Sequence, residues 1–294
     1  MNLVITGGSG SLGKAILKQQ GLLRNIGVTR IRVISRDEQK QVSLMRHYEG
    51  EIPLDCFLGD VADKERMQFA LKDAHLVIHA AAQKHIDKFE LDVPTGYKTN
   101  IEGTRNVSQA FADSKNAVSG IFVSTDKAAL PITSYGISKL AAEHSWLWHN
   151  TYQKEIKFGV CRYGNIWASR GSVVETWSKK AKNKEAFLLT DIECTRFFMT
   201  MNEAACFVLR SLFENQKKVH IPEMKAARML DIAEMIWEYH NLGLRLNYQV
   251  VGMRSIEKVH EILSAEGPVS NAVTQFTKDE LRKMYEDWLN ENHC

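Results

Sequence analysis

Five polar side chains near the middle of the sequence could together perform proton transfer. Thr125, Asp126 and Lys127 are consecutive, and a Tyr135-x-x-x-Lys139 pair follows them. Tyr135 and Lys139 are four residues apart, so they share one face of a helix. A hydroxyl, a carboxylate, a phenol and two amines at one place are suited to general acid–base chemistry on an alcohol.

A strand and a helix must position these groups. Residues 120–125 (GIFVST) form a short apolar run that predicts a β-strand, and residues 134–150 predict a helix. Thr125 and the residues after it then lie at the carboxyl end of the strand. Ligands bind at this edge in parallel α/β sheets, so we expect the catalytic groups there.

A glycine-rich loop near the N-terminus predicts a dinucleotide site. Residues 2–6 predict a strand, the sequence TGGSGSLG ends it, and a helix is predicted over 14–20. Glycines in such a unit permit a tight turn and let the backbone approach a pyrophosphate at the helix N-terminus. The loop residues assigned to the cofactor are Gly7, Gly10, Ser11, Leu12 and Gly13.

Strands and helices alternate through the first half of the chain. Further elements are predicted at 30–35, 54–58, 63–71, 75–79, 101–114 and 158–162. This alternation predicts an α/β fold with a Rossmann-type doubly wound parallel sheet. We expect an NADP-binding domain over 1–165 with a return segment around 199–221, and a smaller interleaved α/β substrate-binding lid over 166–294.

The end of the second predicted strand should select the cofactor. An acidic residue about 20 residues past the glycine loop would bind the ribose of NAD. This chain has Ser35 and Arg36 there, which favour the 2′-phosphate of NADP, with Lys40 as a further cation. Two alternatives stay open: Asp37 could serve as the NAD carboxylate, or Arg36 could be a solvated charge.

Residues at later strand ends complete the predicted cofactor site. Asp60 could contact the adenine or cap the following helix. Small side chains after the fourth strand would let the cofactor lie close to the backbone. The residues assigned here are Asp60, Val61, Ala80, Ala81, Ala82 and Asn100.

A Tyr–Lys pair behind a dinucleotide loop predicts redox chemistry at a carbinol carbon. Free tyrosine titrates near pH 10. Opposite charge lowers the pKa of an acid by roughly 1–3 units. Lys139 and a cationic nicotinamide ring are therefore expected to lower the pKa of Tyr135 and make it a base near neutral pH.

Composition restricts the class of protein and its partners. The 294 residues carry a net charge of +3 with both signs interspersed, which does not suggest nucleic-acid binding. Five scattered cysteines without a CxxC pair indicate reduced thiols rather than disulfides or a zinc site. The first residues do not fit a signal peptide, and no apolar stretch is long enough to span a membrane. We expect a cytoplasmic protein without metal, membrane or nucleic-acid partners.

Sequence motifs across nearly the whole chain add a resemblance to a known family. TGGSGSLG together with YGISK resembles the extended short-chain dehydrogenase/reductase superfamily. Seven further segments resemble the soluble UDP-N-acetylglucosamine 4,6-dehydratases that invert carbon 5 in bacterial surface-sugar pathways: SRDEQKQ, HAAAQKH, KTNIEGT, STDKAALPITSYGISK, CRYGNIWASRGSVV, TRFFMT and GMRSIEKVHE.

The resemblance implies a role for each catalytic residue. Tyr135, set by Lys139, would remove the proton of the 4-hydroxyl while Thr125 hydrogen-bonds the sugar and hydride passes to NADP. Lys127 would take the proton of carbon 5, and Asp126 would protonate the departing 6-hydroxyl. Hydride return to carbon 6 then gives an inverted 4-keto-6-deoxy sugar. The superfamily also implies a homo-oligomer.

The same resemblance implies contacts with a UDP-sugar. Arg196 and Arg254 would bind the diphosphate, and Asn165 and Glu257 would bind hydroxyl groups. This chain has Ser255-Ile256 where the family usually has Pro-Gly, which changes the loop before Glu257. The substrate residues assigned are Lys84, Asn165, Arg170, Ser172, Arg196, Arg254 and Glu257.

Two other functions share parts of this pattern. A UDP-sugar 4-epimerase uses the Tyr–Lys pair but returns hydride to carbon 4. A protein that only senses NADP would need the glycine loop without the catalytic groups, and the presence of Thr125, Tyr135 and Lys139 argues against it.

Overall fold

The computed structural model describes residues 1–169, 171–214 and 217–292. The chain divides into two compact units. The first unit comprises Met1–Arg162 and Asn202–Pro222, and the second comprises Tyr163–Met201 and the chain from Glu223 onwards. The predicted substrate residue Arg170 lies outside the described residues.

The strands are short, and most of them belong to the first unit. In chain order they are β1 (Asn2–Thr6), β2 (Arg30–Ser35), β3 (Leu54–Leu58), β4 (Leu76–His79), β5 (Ser119–Val123), β6 (Lys157–Cys161), β7 (Asn165–Ile166), β8 (Phe187–Leu189), β9 (Thr195–Met199), β10 (Val219–His220), β11 (Lys225–Arg228) and β12 (Tyr248–Val250).

Helices alternate with the strands along the chain. They are α1 (Ser11–Lys18), α2 (Gln20–Asn25), α3 (Glu38–Arg46), α4 (Lys64–Leu71), α5 (Ile86–Leu91), α6 (Val93–Tyr97), α7 (Gly103–Ala112), α8 (Ser134–Trp148), α9 (Val173–Lys182), α10 (Met201–Phe213), α11 (Met229–His240) and α12 (Lys278–Asn292). A π-helical turn (Lys98–Glu102) precedes α7, and 3₁₀ turns occur at Asp126–Ala128 and His149–Thr151.

Seven parallel strands form the sheet of the first unit, in the order β10-β6-β5-β4-β1-β2-β3. The chain moves outward from β1 to β3 and then crosses back to β4 on the other side of β1. The carboxyl ends of β1 and β4 therefore form the topological switch point, where doubly wound sheets bind ligands. The predicted Rossmann-type doubly wound parallel sheet is confirmed.

Burial on both faces explains the sequence of the central strands. Leu3, Val4 and Ile5 of β1 are all completely buried. A parallel strand covered by helices on both faces needs a continuous apolar run rather than alternation, and β1 supplies one.

An aromatic cluster holds α7 and α8 on one face of the sheet. Trp146 of α8 contacts Phe158 of β6 edge-on at 5.5 Å, and Phe111 of α7 contacts the same ring at 5.5 Å. Phe122 of β5 lies 6.1 Å from Trp146. These rings are at most 1% exposed, so α8 is fixed rigidly beside the end of β5.

The second unit has its own sheets and core. β11, β9 and β7 form a three-stranded sheet in that order, and β8 pairs with β12. Trp177 of α9 stacks on Phe187 of β8 at 5.2 Å, and Trp237 of α11 meets Phe187 edge-on at 5.6 Å. Buried Tyr285 brings α12 into the same core.

None of the helices within residues 1–169, 171–214 and 217–292 combines the length and the apolar character that crossing a bilayer requires.

Candidate active site

The end of β5 carries a hydrogen-bonded cluster of three predicted catalytic residues. Thr125 caps the 3₁₀ turn Asp126–Ala128, and its hydroxyl donates to Asp126 Oδ1 at 2.8 Å. The Lys127 ammonium donates to Asp126 Oδ2 at 3.0 Å. The Asp126 side chain is completely buried, whereas that of Lys127 is 20% exposed. Asp126 is thus a buried carboxylate compensated by two donors, and Lys127 reaches the surface.

Tyr135 lies in the first turn of α8, and a neighbouring helix fixes it there. Glu90 of α5 accepts hydrogen bonds from the Tyr135 backbone N–H at 3.1 Å and from the Ser134 hydroxyl at 2.8 Å. Phe89 meets the Tyr135 ring edge-on at 5.7 Å. The Thr133 side chain caps the Gly136 N–H at 2.9 Å. Two of the backbone N–H groups at this helix end thus have acceptors outside the helical ladder, and Glu90 and Phe89 hold the first turn of α8 against α5.

The protonation of Tyr135 depends on its burial and on two neighbouring side chains. Burial raises the pKa of the Tyr135 phenol, and the Asp126 carboxylate raises it further. A hydrogen bond with the Thr125 side chain acts in the opposite direction and lowers the pKa. The protein chain alone thus raises this pKa through burial and Asp126, and the lowering predicted from Lys139 together with a nicotinamide ring stays a prediction.

Lys139 lies one turn after Tyr135 and is 3% exposed. Its ammonium donates to the Val123 carbonyl at 2.7 Å and lies 3.9 Å from the centre of the Phe122 ring. Burial lowers the pKa of Lys139 to about 7, although the Glu143 carboxylate acts to raise it. Lys139 therefore joins α8 to the last residue of β5.

The glycine loop is packed too closely for side chains. Gly7 has φ +70°, and a Cβ there would lie 2.8 Å from the Ala81 nitrogen. A Cβ on Gly13 would lie 2.1 Å from the Gly8 carbonyl oxygen. The loop after β1 thus touches both the first turn of α1 and the alanine run after β4, as a close-packed dinucleotide loop requires.

The N-terminus of α1 fits a pyrophosphate. Gly10 is its N-cap and supplies no side-chain acceptor, and the first turn contains no acidic residue. The Lys14 N–H makes the first bond of the helix, to the Gly10 carbonyl at 3.0 Å. The N–H groups of Ser11, Leu12 and Gly13 precede that bond, so they are the donors a phosphate would use.

Replacing Gly13 by Ala is expected to destabilise the protein by about 1–3 kcal/mol or more, because backbone atoms of the loop would have to move. Gly21→Ala in α2 is the matched control. A Cβ at Gly21 meets no atom within 4 Å, so that change should be neutral or stabilise by up to about 1 kcal/mol. Thermal unfolding of both variants checks this, and equal stability would contradict the packing argument.

Asn100 holds the loop that follows the alanine run. Its Oδ1 accepts the Gln83 N–H at 2.8 Å, and its Nδ2 donates to the Gln83 carbonyl at 3.2 Å and to Ser138 Oγ at 3.1 Å. Both amide hydrogens are used, and Asn100 is 1% exposed. Asn100 therefore holds the loop that follows half-buried Ala80, Ala81 and Ala82, and its predicted contact with the cofactor stays a prediction.

His79 was not selected from the sequence, yet its side chain connects both edges of the switch point. The Thr104 hydroxyl donates to the Asn100 carbonyl at 2.6 Å, so it must accept from His79 Nε2 at 2.9 Å. His79 Nδ1 then accepts from the Thr6 hydroxyl at 2.6 Å, and Thr6 accepts the Ala81 N–H at 3.4 Å. Burial lowers the pKa of His79 to about 3, which keeps this network neutral.

The end of β2 contains the residues on which the cofactor prediction depends. Asp37 caps α3, and its carboxylate is held by the Lys40 N–H at 2.9 Å and the Lys40 ammonium at 2.8 Å. Both contacts lower the pKa of Asp37. The Ser35 hydroxyl accepts from Gln41 at 3.0 Å, and the Arg36 side chain is 59% exposed. The Asp37 carboxylate is thus occupied as the N-cap of α3. Lys40 could contact a 2′-phosphate, as predicted, only if its ion pair with Asp37 broke.

Asp60 is not the cap of the following helix. Asp63 caps α4 by accepting the Arg66 N–H at 2.9 Å. Asp60 instead accepts the Ala62 N–H at 2.9 Å and lies 3.4 Å from the Arg36 guanidinium. Val61 beside it is 5% exposed and belongs to the core.

The second unit contains the predicted diphosphate residues, and both arginines have partners in the protein. Arg196 donates to the Thr195 and Val259 carbonyls at 2.8 and 2.9 Å. Arg254 donates to Glu257 Oε1 at 2.6 Å. Glu257 Oε2 is buried and has no hydrogen-bond partner among the described residues. An unpaired buried acceptor suits a ligand hydroxyl, as predicted for this residue.

The remaining predicted substrate residues belong to both units, and their contacts with a substrate stay predictions. Ser172 is the N-cap of α9 and accepts the Glu175 N–H at 3.4 Å. Asn165 begins β7 and pairs with Phe198 of β9. Lys84 of the first unit is exposed.

No group of three His, Cys, Asp or Glu side chains within the described residues has the arrangement of a metal site. Four cysteines are free thiols: Cys56, Cys161, Cys194 and Cys206.

Two kinds of sequence comparison agree on the family. A family model described as polysaccharide biosynthesis protein matches residues 3–279. The chain is 38% identical over 268 residues to a UDP-N-acetylglucosamine 4,6-dehydratase (inverting) of Campylobacter jejuni, covering 89% of this chain and 77% of that protein. It is 31% identical over 290 residues to a UDP-glucose 4-epimerase of Rickettsia rickettsii, covering 96% of this chain and 81% of the other.

A solved structure shows the same fold. The crystal structure of Pen from Bacillus thuringiensis superposes with a TM-score of 0.87 at 26% sequence identity, and the match covers 98% of this chain and 97% of that one.

Proposed function

The chain belongs to the polysaccharide biosynthesis protein family, and we propose that it is an NADP-dependent UDP-N-acetylglucosamine 4,6-dehydratase that inverts carbon 5. The product would be a UDP-4-keto-6-deoxy sugar for surface glycans. This reaction is a lyase reaction in net effect, because water is eliminated and the cofactor is regenerated.

The geometry at the end of β5 carries this proposal. Asp126 and Lys127 form a contact of 3.0 Å, and Asp126 also accepts from the Thr125 hydroxyl, which hydrogen-bonds Tyr135. Oxidation of an alcohol needs one base. Elimination of water needs an additional acid and an additional base, and the Asp126–Lys127 pair supplies both.

Asp126 and Lys127 can together donate and accept the protons that elimination of water requires. Moving one proton from the Lys127 ammonium to the Asp126 carboxylate gives a neutral amine and a carboxylic acid without changing the net charge. The amine then takes the proton of carbon 5, whose bonding electrons form the carbon 5–carbon 6 double bond. The carbon 6–oxygen bond breaks, and the hydroxyl leaves as water with the proton of Asp126. The pair returns to its ionic form. Return of the hydride from the reduced nicotinamide to carbon 6, together with a proton delivered to the opposite face of carbon 5, would complete the saturation of the double bond and invert that centre.

Residues of the chain prepare the oxidation step. When bound, the nicotinamide supplies a reversible hydride acceptor. Tyr135 accepts the proton of the 4-hydroxyl, and Thr125 holds the oxygen beside it. Lys139 keeps α8 and the end of β5 together through the Val123 carbonyl. The raised pKa of Tyr135 means that a nearby positive charge is needed to make the phenolate accessible near neutral pH.

The cofactor we propose is NADP rather than NAD. The glycine loop and the N-terminus of α1 would hold its pyrophosphate, and Ser35 with Arg36 would hold the 2′-phosphate. The competing NAD carboxylate, Asp37, is already bound by Lys40. The Arg36–Asp60 pair is exposed and 3.4 Å long, so a phosphate could replace Asp60 at little cost.

Arg36→Ala is expected to weaken NADP binding by roughly ten- to a hundredfold, the equivalent of one charge-assisted hydrogen bond. Binding of NAD should change little, because it has no 2′-phosphate. Titration calorimetry with both cofactors measures the difference. Arg46→Ala at the other end of α3 is the control, and equal losses for NADP and NAD would remove the argument for Arg36.

Incubation with UDP-N-acetylglucosamine and NADP, followed by mass spectrometry, tests the reaction itself. The expected product is lighter than the substrate by one water. A product of unchanged mass that is epimeric at carbon 4 would instead establish the 4-epimerase, which the Rickettsia relative makes the second candidate. No turnover with any UDP-sugar would favour a protein that only senses NADP.

We also propose a cytoplasmic homo-oligomer that binds a UDP-sugar. The four free thiols support a reducing compartment. Ile137 and Trp148 are 48% and 54% exposed on one face of α8, which supports self-association. Light scattering measures the molar mass in solution, and a monomer at micromolar concentration would contradict the proposed oligomer.

A further inference from the structure

Glu143 and Arg162 form a buried ion pair between the catalytic helix α8 and the end of β6. Glu143 lies on α8 one turn after Lys139 and is 2% exposed, and Arg162 follows β6 and is 9% exposed. Arg162 Nε donates to Glu143 Oε1 at 3.0 Å, and Arg162 Nη2 donates to Glu143 Oε2. This two-pronged contact fixes the direction of the carboxylate.

Ser124 connects this pair to the residue before Thr125. The Ser124 hydroxyl donates to Glu143 Oε1, and its N–H donates to the Cys161 carbonyl at 2.7 Å. Ser124 is 5% exposed. Lys139 binds the Val123 carbonyl, and Glu143, one turn later on α8, binds the Ser124 hydroxyl. Two side chains of α8 therefore hold two consecutive residues at the end of β5.

We propose that Glu143 is a positioning residue for the elimination half of the reaction, acting through Ser124 on the turn that carries Asp126 and Lys127. This inference rests on the proposed function. β5 ends at Val123, so the residues after it are no longer aligned by the strand itself. Tyr135 is part of α8 and does not depend on Ser124 for its place. Loss of the Ser124 contact should therefore affect elimination more than oxidation.

Ser124→Ala tests the connection while leaving the ion pair intact. After mixing with UDP-N-acetylglucosamine, we expect the formation of reduced nicotinamide to slow much less than elimination, because Tyr135 keeps its place on α8. Elimination should be slower by roughly ten- to a hundredfold, the effect of a small misplacement of reacting groups. Reduced cofactor should then accumulate, as followed by its absorbance. Ser124→Thr restores the hydroxyl and should remove most of the accumulation.

Ser119→Ala is the matched control, since Ser119 lies at the other end of β5. Its hydroxyl is also buried, at 4% exposure, and donates to the Leu212 carbonyl at 2.8 Å. This variant should show no accumulation. The double variant Glu143→Leu/Arg162→Leu removes the acceptor without leaving an unpaired buried charge, and it should accumulate reduced cofactor as Ser124→Ala does.

The outcomes separate the two proposals. If the wild-type protein does not dehydrate UDP-N-acetylglucosamine, the proposed function fails. If it does, equal slowing of both half-reactions in Ser124→Ala, or accumulation in Ser119→Ala, overturns the positioning role of Ser124. A double variant that turns over without accumulation overturns the role of Glu143.

Discussion

Lys127→Ala is expected to abolish dehydration while oxidation at carbon 4 continues. The Lys127 ammonium donates to Asp126 at 3.0 Å, and Lys127 is the proposed base for carbon 5. Removal of a general base typically costs about 10²–10⁴-fold in rate. In stopped-flow absorbance we expect reduced nicotinamide to appear and persist, and mass spectrometry should find no dehydrated sugar.

A solvent-exchange measurement makes this test specific to carbon 5. The wild-type protein should incorporate deuterium from heavy water at carbon 5 of the product, and Lys127→Ala should leave the carbon 5 proton of the bound sugar in place. Lys88→Ala on α5 is the control, because Lys88 is exposed and should leave turnover unchanged. Normal turnover by Lys127→Ala would show that another group is the base.

The strands and the glycine loop of the first unit could be predicted because each has a strong local pattern in the sequence. Continuous apolar runs such as Leu3 to Ile5 occur where strands are covered on both faces. The glycine loop has a steric cause that appears directly in the sequence, since neither Gly7 nor Gly13 can carry a Cβ. The parallel direction of the strands follows from the alternation of strands and helices.

Elements with weak apolar patterns were missed. β11 has the sequence KAAR, and β12 is exposed at all three residues, so neither has the alternation that predicts a strand. α12 is strongly polar and is fixed by single core residues such as Tyr285. The predicted helix over 101–114 begins earlier, as a π-helical turn that includes Asn100. Periodicity carries no information about such a turn, which depends on what the side chains bind.

The sequence predicted which site residues share a face of α8, but it did not predict their hydrogen-bond partners. Residues four apart on a helix must share a face, which correctly groups Tyr135 with Lys139. The same spacing continues to Glu143, two turns from Tyr135, and could have drawn attention to it. Its partners could not be predicted, because Arg162 comes from β6 and Ser124 from β5. Likewise, only the fold shows that Lys139 binds a carbonyl and that burial raises the pKa of Tyr135.

Tyr135→Phe is expected to stop the reaction before any reduced nicotinamide forms. The phenol is the proposed base for the 4-hydroxyl, so its loss should lower the rate of cofactor reduction by about 10²–10⁴-fold. The ring would keep its edge-on contact with Phe89 at 5.7 Å, and only the hydrogen bond with Thr125 would be lost. Stability should therefore change by about 1 kcal/mol at most. Tyr135→Phe would thus block oxidation at carbon 4, whereas Lys127→Ala would block the elimination of water.

The pH dependence of the same measurement distinguishes a base from a packing residue. Because the pKa of Tyr135 is raised, most of the phenol is protonated near neutral pH, and the rate of cofactor reduction by the wild-type protein should rise with pH. Tyr135→Phe should be slow and independent of pH over that range. Tyr97→Phe is the matched control, since Tyr97 contacts the same Phe89 ring at 6.1 Å and should retain both the rate and the pH profile. A pH-dependent rate that survives in Tyr135→Phe would assign the titrating base to a different residue.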